Sequence, residues 1–96
     1  MTPKRIDSHK FRGKRYKIRW LPKPKFNGES VEGFCTNPAL AEIAIKTNLT
    51  EKQLLATALD EGLHACIWDL DNEAVDEISD SLASLLWRLG FRLKKS

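Results

Sequence analysis

The chain has 96 residues, a mass of 11.0 kDa and 42% hydrophobic residues, which suffices for one domain with one modest core. It has no run of the roughly 18 apolar residues that a transmembrane helix needs. Its N-terminal segment lacks the apolar stretch of a signal peptide. We therefore predict a cytoplasmic protein without a membrane segment, in which Cys35 and Cys66 are reduced thiols rather than a disulfide framework.

Positive charge is concentrated at the N-terminus. The net charge is +3, yet residues 1–25 hold ten Lys and Arg, from Lys4 to Lys25, against one acid. The remaining residues are acidic overall, so the chain is not a uniformly basic nucleic-acid-binding protein. We predict a basic flexible arm over residues 1–14 and a single domain over residues 15–96. The cations from Lys4 to Lys25 suit nucleic acid or an acidic partner, but the charge pattern favours a solubilising tail or charge complementarity with the acidic remainder of the chain.

Two segments have the alternating pattern of half-buried strands. In the first, Tyr16, Ile18 and Trp20 alternate with charged residues. Residues 23–40 contain several Pro and Gly and predict a long irregular connection. The second strand covers residues 42–46, and we predict that it pairs with the first in a small antiparallel sheet.

Two helices are predicted after these strands. Thr50 and Gln53 form a capping-box signature before an apolar run, which predicts a helix over residues 51–67. A second helix is predicted over residues 72–89, with Gly90 at its C-terminal end. The apolar face that this helix is expected to bury consists of Val75, Ile78, Leu82, Leu85, Leu86 and Leu89. The predicted fold is therefore α+β, a small antiparallel sheet covered by two helices.

One segment of the first helix has the spacing of a metal site. Asp60 and His64 are one helical turn apart and project from the same face, as two metal ligands on a helix must. Glu61 is close enough to address a metal-bound water, and Glu73 can return from the second helix as a third ligand. Structural explanations also exist: a solvated acidic edge, a packed histidine, and the preference of acids for helix N-termini.

This segment and its surroundings resemble the small zincin-like metallopeptidase domains, many of them phage-associated, which carry an H-E-x-x-H helix. The matching segments are KRYKIRWL, AEIAIK, NLTEKQL, DEGLHACIWDLDNEAV and SLLWRLGFR, within residues 15–93. The resemblance implies a minimal zincin-like fold and metal-assisted hydrolysis of a peptide or protein substrate. It also implies zinc bound in the gluzincin manner, with His64 and Glu73 as ligands and Glu61 as the general base.

The sequence departs from the family pattern at Asp60, which stands where the first histidine is expected. An aspartate can bind zinc, but it has a shorter reach than histidine, and a second carboxylate makes the centre less positive and its water less acidic. Two alternatives follow: a metallopeptidase with a degenerate D-E-x-x-H motif and weakened zinc binding, or an inactive zincin-fold protein that binds protein or nucleic acid. Asp76 and Glu77 are candidate hydrogen-bond partners for His64. The sequence predicts no particular oligomeric state.

Overall fold

The computed structural model describes residues 5–93. Within this range the chain forms six strands followed by two helices. Their bounds are β1 Ser8–Phe11, β2 Lys14–Leu21, β3 Lys25–Phe26, β4 Glu29–Ser30, β5 Gly33–Cys35, β6 Glu42–Lys46, α1 Glu51–Cys66 and α2 Asn72–Leu89. The prediction of a small α+β fold is confirmed. Neither helix is long and apolar enough to cross a membrane.

The main sheet is mixed, with the strand order β1-β2-β6-β5. Strand β2 pairs with β6 in parallel, with Ile18 opposite Ile43, so the predicted antiparallel pairing of these two strands is wrong. The reason is the connection between them, which is long enough to carry the chain back to the starting end of β2. That connection contains the β3–β4 hairpin, whose turn places Asn27 and Gly28 at positive φ, and the edge strand β5, which is antiparallel to β6.

Part of the predicted flexible arm belongs to the sheet. Strand β1 pairs with β2 in antiparallel register, with His9 opposite Tyr16. The pairing is extended by the Ile18 N–H, which donates to the Asp7 carbonyl at 2.9 Å, and by the Trp20 indole N–H, which donates to a backbone carbonyl of residue 6 at 2.9 Å. The prediction of a flexible arm is therefore wrong for residues 6–11, which are held against β2 by these hydrogen bonds. Residues 1–4 of the arm and residues 94–96 of the predicted domain lie outside the described residues.

Helix α1 covers the inner face of the sheet. The core joins Tyr16 and Ile18 of β2 and two isoleucines of β6 to Leu54 and Ala65 of α1. Tyr16 is 1% exposed, which agrees with its predicted inward orientation. Burial of this apolar surface is the main favourable term holding the helix on the sheet.

Helix α2 packs on α1 rather than on the sheet. It buries Val75, Ser79 and Ala83, which are spaced four residues apart and are small enough for the two helices to approach closely. The predicted buried face is therefore only partly correct, because four of its members are exposed: Ile78, Leu82, Leu85 and Leu89. Gly90 ends the helix in the left-handed conformation at φ 97°, as predicted.

Candidate metal centre

The proposed chemistry lies on the last two turns of α1. The predicted capping box is present: Thr50 Oγ1 accepts the Gln53 backbone N–H at 3.2 Å, and Gln53 Oε1 accepts the Thr50 N–H at 2.9 Å. The helix that starts there runs without a break to Cys66. Because its inner face is fixed on the sheet by Leu54, the side chains of the D-E-x-x-H segment have defined positions.

Asp60, Glu61 and His64 meet at one point. Each offers one ligand atom, and these atoms all lie within 4.8 Å of one another. His64 Nε2 is 3.7 Å from Asp60 Oδ1, as expected for residues one turn apart. Glu61 is only 6% exposed, so this carboxylate lies under the group rather than at its rim.

Helix α2 contributes two more groups. Asp76 Oδ1 is 3.6 Å from His64 Nε2, so α2 places another carboxylate beside the three residues of α1. The hydroxyl of Ser79, a buried residue, lies 3.0 Å from Asp60 Oδ1 and 3.0 Å from the Asp76 carbonyl oxygen, and can donate to either. Ser79 thereby ties the Asp60 carboxylate to α2, which is the role of a residue that orients a ligand.

The edge strand β5 forms the opposite wall. A Cβ on Gly33 would lie 2.7 Å from the Ala44 carbonyl oxygen, 2.8 Å from Thr57 Cγ2 and 3.3 Å from Glu61 Cγ. Glycine is therefore required where β5 meets both its neighbouring strand and α1. Beside it, Thr57 Oγ1 donates to Glu32 Oε2 at 3.3 Å.

Helix α1, helix α2 and the start of β5 line an open cleft of about 420 Å³ that we name the acidic pocket. Its lining includes five carboxylates: Glu32, Asp60, Glu61, Asp76 and Asp80. No lysine or arginine is among the described residues that line it. A cavity of this charge is suited to a cation.

Burial and mutual repulsion perturb the carboxylates. The pKa of Glu61 is raised from 4.5 to about 8, first by burial and then by the negative charges of Asp60 and Asp76. The pKa of Asp60 is also raised, chiefly by burial, while the hydrogen bond from Ser79 acts in the opposite direction. Without a cation, burial therefore disfavours the ionised form of both carboxyls relative to its stability in water.

The structure brings together three of the four predicted site residues. Asp60, Glu61 and His64 form the group, whereas Glu73, predicted as the third metal ligand, is exposed on the first turn of α2 and is not part of this group in the described chain. Asp76, predicted only as a hydrogen-bond partner of His64, is the α2 carboxylate that lies beside it. About one turn of α2 separates the two acids.

Several residues of the acidic pocket could not be predicted from the sequence, among them Ser79 and Glu32. Ser79 is marked only by its place between Val75 and Ala83, where the spacing of four residues signals a buried position. Glu32 precedes β5 within a segment without periodicity, and no sequence signal identifies it.

Comparison with known proteins adds no assignment. The chain matches no protein-family model, and neither a curated protein nor a solved structure matches it.

Proposed function

We propose that this protein is a zincin-like metallopeptidase domain with a degenerate D-E-x-x-H motif, in which Asp60, His64 and Asp76, beside the acidic pocket, bind a divalent cation. The observation that carries the proposal is the convergence of Asp60, Glu61 and His64 within 4.8 Å on α1, which contacts both the sheet and α2. Asp76 replaces Glu73 in the proposed set because its carboxylate is the one beside His64. The association with phages remains a prediction.

The donor set fits a divalent cation. Zinc binds imidazole nitrogen and carboxylate oxygen at about 2.0–2.2 Å, so two of its ligand atoms stand at most about 4.4 Å apart. The proposed ligand atoms meet this limit, since His64 Nε2 lies 3.7 Å from Asp60 Oδ1 and 3.6 Å from Asp76 Oδ1. Because carboxylates outnumber the single imidazole, manganese or magnesium is also accepted by such a set.

Each residue has a separate task in this proposal. Asp60, His64 and Asp76 hold the cation, and Ser79 fixes the Asp60 carboxylate for that purpose. The cation supplies Lewis-acid polarisation of a peptide carbonyl and lowers the pKa of water. Glu61 takes the proton from the attacking water and passes it to the leaving amine.

The position of β5 supports an extended peptide as the substrate. This strand is at the edge of the main sheet and forms one wall of the acidic pocket through Gly33. An edge strand offers backbone N–H and C=O groups to which a peptide can add as another strand. A peptide bound there passes the carboxylates of α1.

The proposal is tested by metal-dependent hydrolysis of a fluorescently labelled casein. We expect slow turnover with zinc or manganese that is abolished by a chelator and reduced about 100-fold or more by Glu61→Gln. Asp60→His, which restores the family motif, is expected to tighten zinc binding and raise turnover. Glu73→Gln is the matched control and should behave like the parent chain. Metal binding without turnover in both the parent and Asp60→His would refute the peptidase and leave the inactive scaffold of the alternative.

A second candidate, nucleic-acid binding, is favoured by one observation. Three cations lie on the outer face of the sheet, namely Lys10, Arg15 and Lys17. Lys10 is opposite Arg15 in the β1–β2 register. Arg15 and Lys17 are two residues apart on β2 and therefore project to the same face. All three are exposed. Arg15→Glu with Lys17→Glu should abolish any salt-dependent binding of a labelled single-stranded oligonucleotide, measured by fluorescence anisotropy.

The location that fits both candidates is the cytoplasm. Cys35 and Cys66 are free thiols, as expected for a reducing compartment. This location is part of the proposal.

A further inference from the structure

Helix α2 carries an exposed apolar stripe beside the face that packs on α1. Ile78 and Leu82 are each 38% exposed, Leu85 is 51% exposed and Leu89 is 65% exposed. The residues that hold α2 on α1 are different ones, centred on Val75, Ser79 and Ala83. We name the four exposed residues the outer stripe. Exposed apolar side chains in a continuous row mark an interaction surface more strongly than scattered ones do.

The spacing of the outer stripe matches one kind of partner. Its residues follow one another at intervals of four, three and four, which is the alternation of a and d positions in a coiled coil. Such a row is complementary to another helix with the same spacing. The α2 helix of a second copy of this chain has the same spacing, so the outer stripes of two copies are complementary to each other.

The charges of α2 determine the direction of pairing. The half of the helix before Leu82 carries four acids and no base, namely Glu73, Asp76, Glu77 and Asp80. The half after Leu82 carries Arg88 and no acid, and Arg92 follows the helix. Parallel pairing would place the acidic halves together, whereas antiparallel pairing places each acidic half beside a basic one.

We propose that two copies of this chain associate through antiparallel packing of their α2 helices. In the two-fold arrangement that uses all four residues, Leu82 of one copy lies opposite Leu85 of the other, and Ile78 lies opposite Leu89. Glu77 of each copy then lies within reach of Arg88 of the other, at the margin of the apolar contact. The outer stripe shares no residue with the acidic pocket, and the association does not depend on the proposed hydrolysis.

Sedimentation velocity over a range of concentrations tests the association. The outer stripe is small compared with standard interfaces of about 800 Å² per partner, so we expect dimerisation in the micromolar range. Leu82→Glu with Leu85→Glu should give a monomer. Leu40→Glu is the matched control, since Leu40 is 65% exposed on the turn between β5 and β6, and it should dimerise like the parent chain.

Circular dichroism checks that the substituted chains remain folded, which is expected because the replaced side chains are exposed. A parent chain that stays monomeric at several hundred micromolar would overturn the proposal. A folded Leu82→Glu/Leu85→Glu variant that dimerises like the parent would overturn it as well.

The direction of pairing is tested by charge exchange. Glu77→Arg and Arg88→Glu should each weaken the dimer by about 2- to 30-fold, since two symmetry-related pairs are lost at roughly 0.2–1 kcal/mol each. The double variant restores both pairs with reversed polarity and should recover the affinity of the parent. Failure of the double variant to recover it would refute the antiparallel arrangement.

Discussion

Glu61 is predicted to make the metal-free protein less stable as the pH rises. Its pKa is about 8 in the folded chain against an ordinary value of 4.5. Below pH 4.5 the carboxyl is protonated in both states and contributes no difference. Between pH 4.5 and 8 the unfolded chain ionises while the folded chain stays protonated, so stability falls with pH, and above pH 8 the loss is complete.

The magnitude follows from the size of the shift. At 1.36 kcal/mol per pKa unit, a change from 4.5 to about 8 corresponds to roughly 5 kcal/mol when fully expressed. Because Glu61 lines a cavity that admits water, we expect about 2–3 kcal/mol of this to be realised. That is a large part of the total stability of a small domain, roughly 5–15 kcal/mol.

Glu61→Gln isolates this effect, since the amide has nearly the same shape and does not ionise. Urea denaturation of both chains with a chelator present, at pH 5 and at pH 8.5, gives the comparison. We expect the two to be of similar stability at pH 5 and the variant to be more stable by about 2–3 kcal/mol at pH 8.5. A difference that does not change between the two pH values would refute the assignment of a buried, uncompensated carboxyl to Glu61.

The remaining predictions concern the residues that frame the centre and the core. Gly33→Ala should destabilise the fold by about 1–3 kcal/mol because its Cβ overlaps neighbouring backbone. Gly62→Ala makes an ordinary contact at 3.4 Å and should gain up to about 1 kcal/mol of helix propensity. Urea denaturation distinguishes the two, and equal effects would contradict the close approach of β5. Thr50→Ala should cost about 1 kcal/mol in thermal unfolding whereas Thr50→Ser keeps the cap, so an equal loss in both would argue against the capping box. Burial raises the pKa of the Cys35 thiol from 9.0 to about 12. Alkylation of Cys35 at pH 8, followed by mass spectrometry, should therefore be at least about 100-fold slower in the folded protein than in urea. Equally fast labelling of the folded protein would contradict the burial of this thiol.

The sequence predicted those elements that local patterns determine. The Thr50 capping box and Gly90 fix the outer ends of the two helices through contacts within a few residues. The alternation around Tyr16 identifies β2 because one face of that strand is buried. In each case either the interacting residues are close together in the sequence, or the alternation of apolar and polar side chains alone indicates which face is buried.

Long-range features could not be predicted in the same way. Whether β2 and β6 run parallel depends on the path of residues 22–41, and no local pattern encodes that path. The outer stripe was expected to face the core because an apolar period does not reveal which partner covers it. The structure instead buries Ser79 and Ala83 against α1.

The candidate centre contains both a part that local patterns predict and a part that depends on long-range packing. Asp60, Glu61 and His64 lie on one helix, so their convergence follows from helical geometry. The partner from α2 depends on how the two helices cross, which a sequence read segment by segment leaves undetermined. For that reason Glu73 and Asp76 could be distinguished only by the distance to His64.

The most direct test of the proposed centre is calorimetric titration of zinc and of manganese into the metal-free protein. We predict one cation per chain, with binding lost in His64→Ala, weakened at least about 10-fold in Asp76→Asn and unchanged in Glu73→Gln. Proton release on binding, measured in buffers of different ionisation enthalpy, is predicted because the cation ionises the Glu61 carboxyl. Binding that is absent, or that survives in His64→Ala, would contradict a metal centre at the meeting point of α1 and α2.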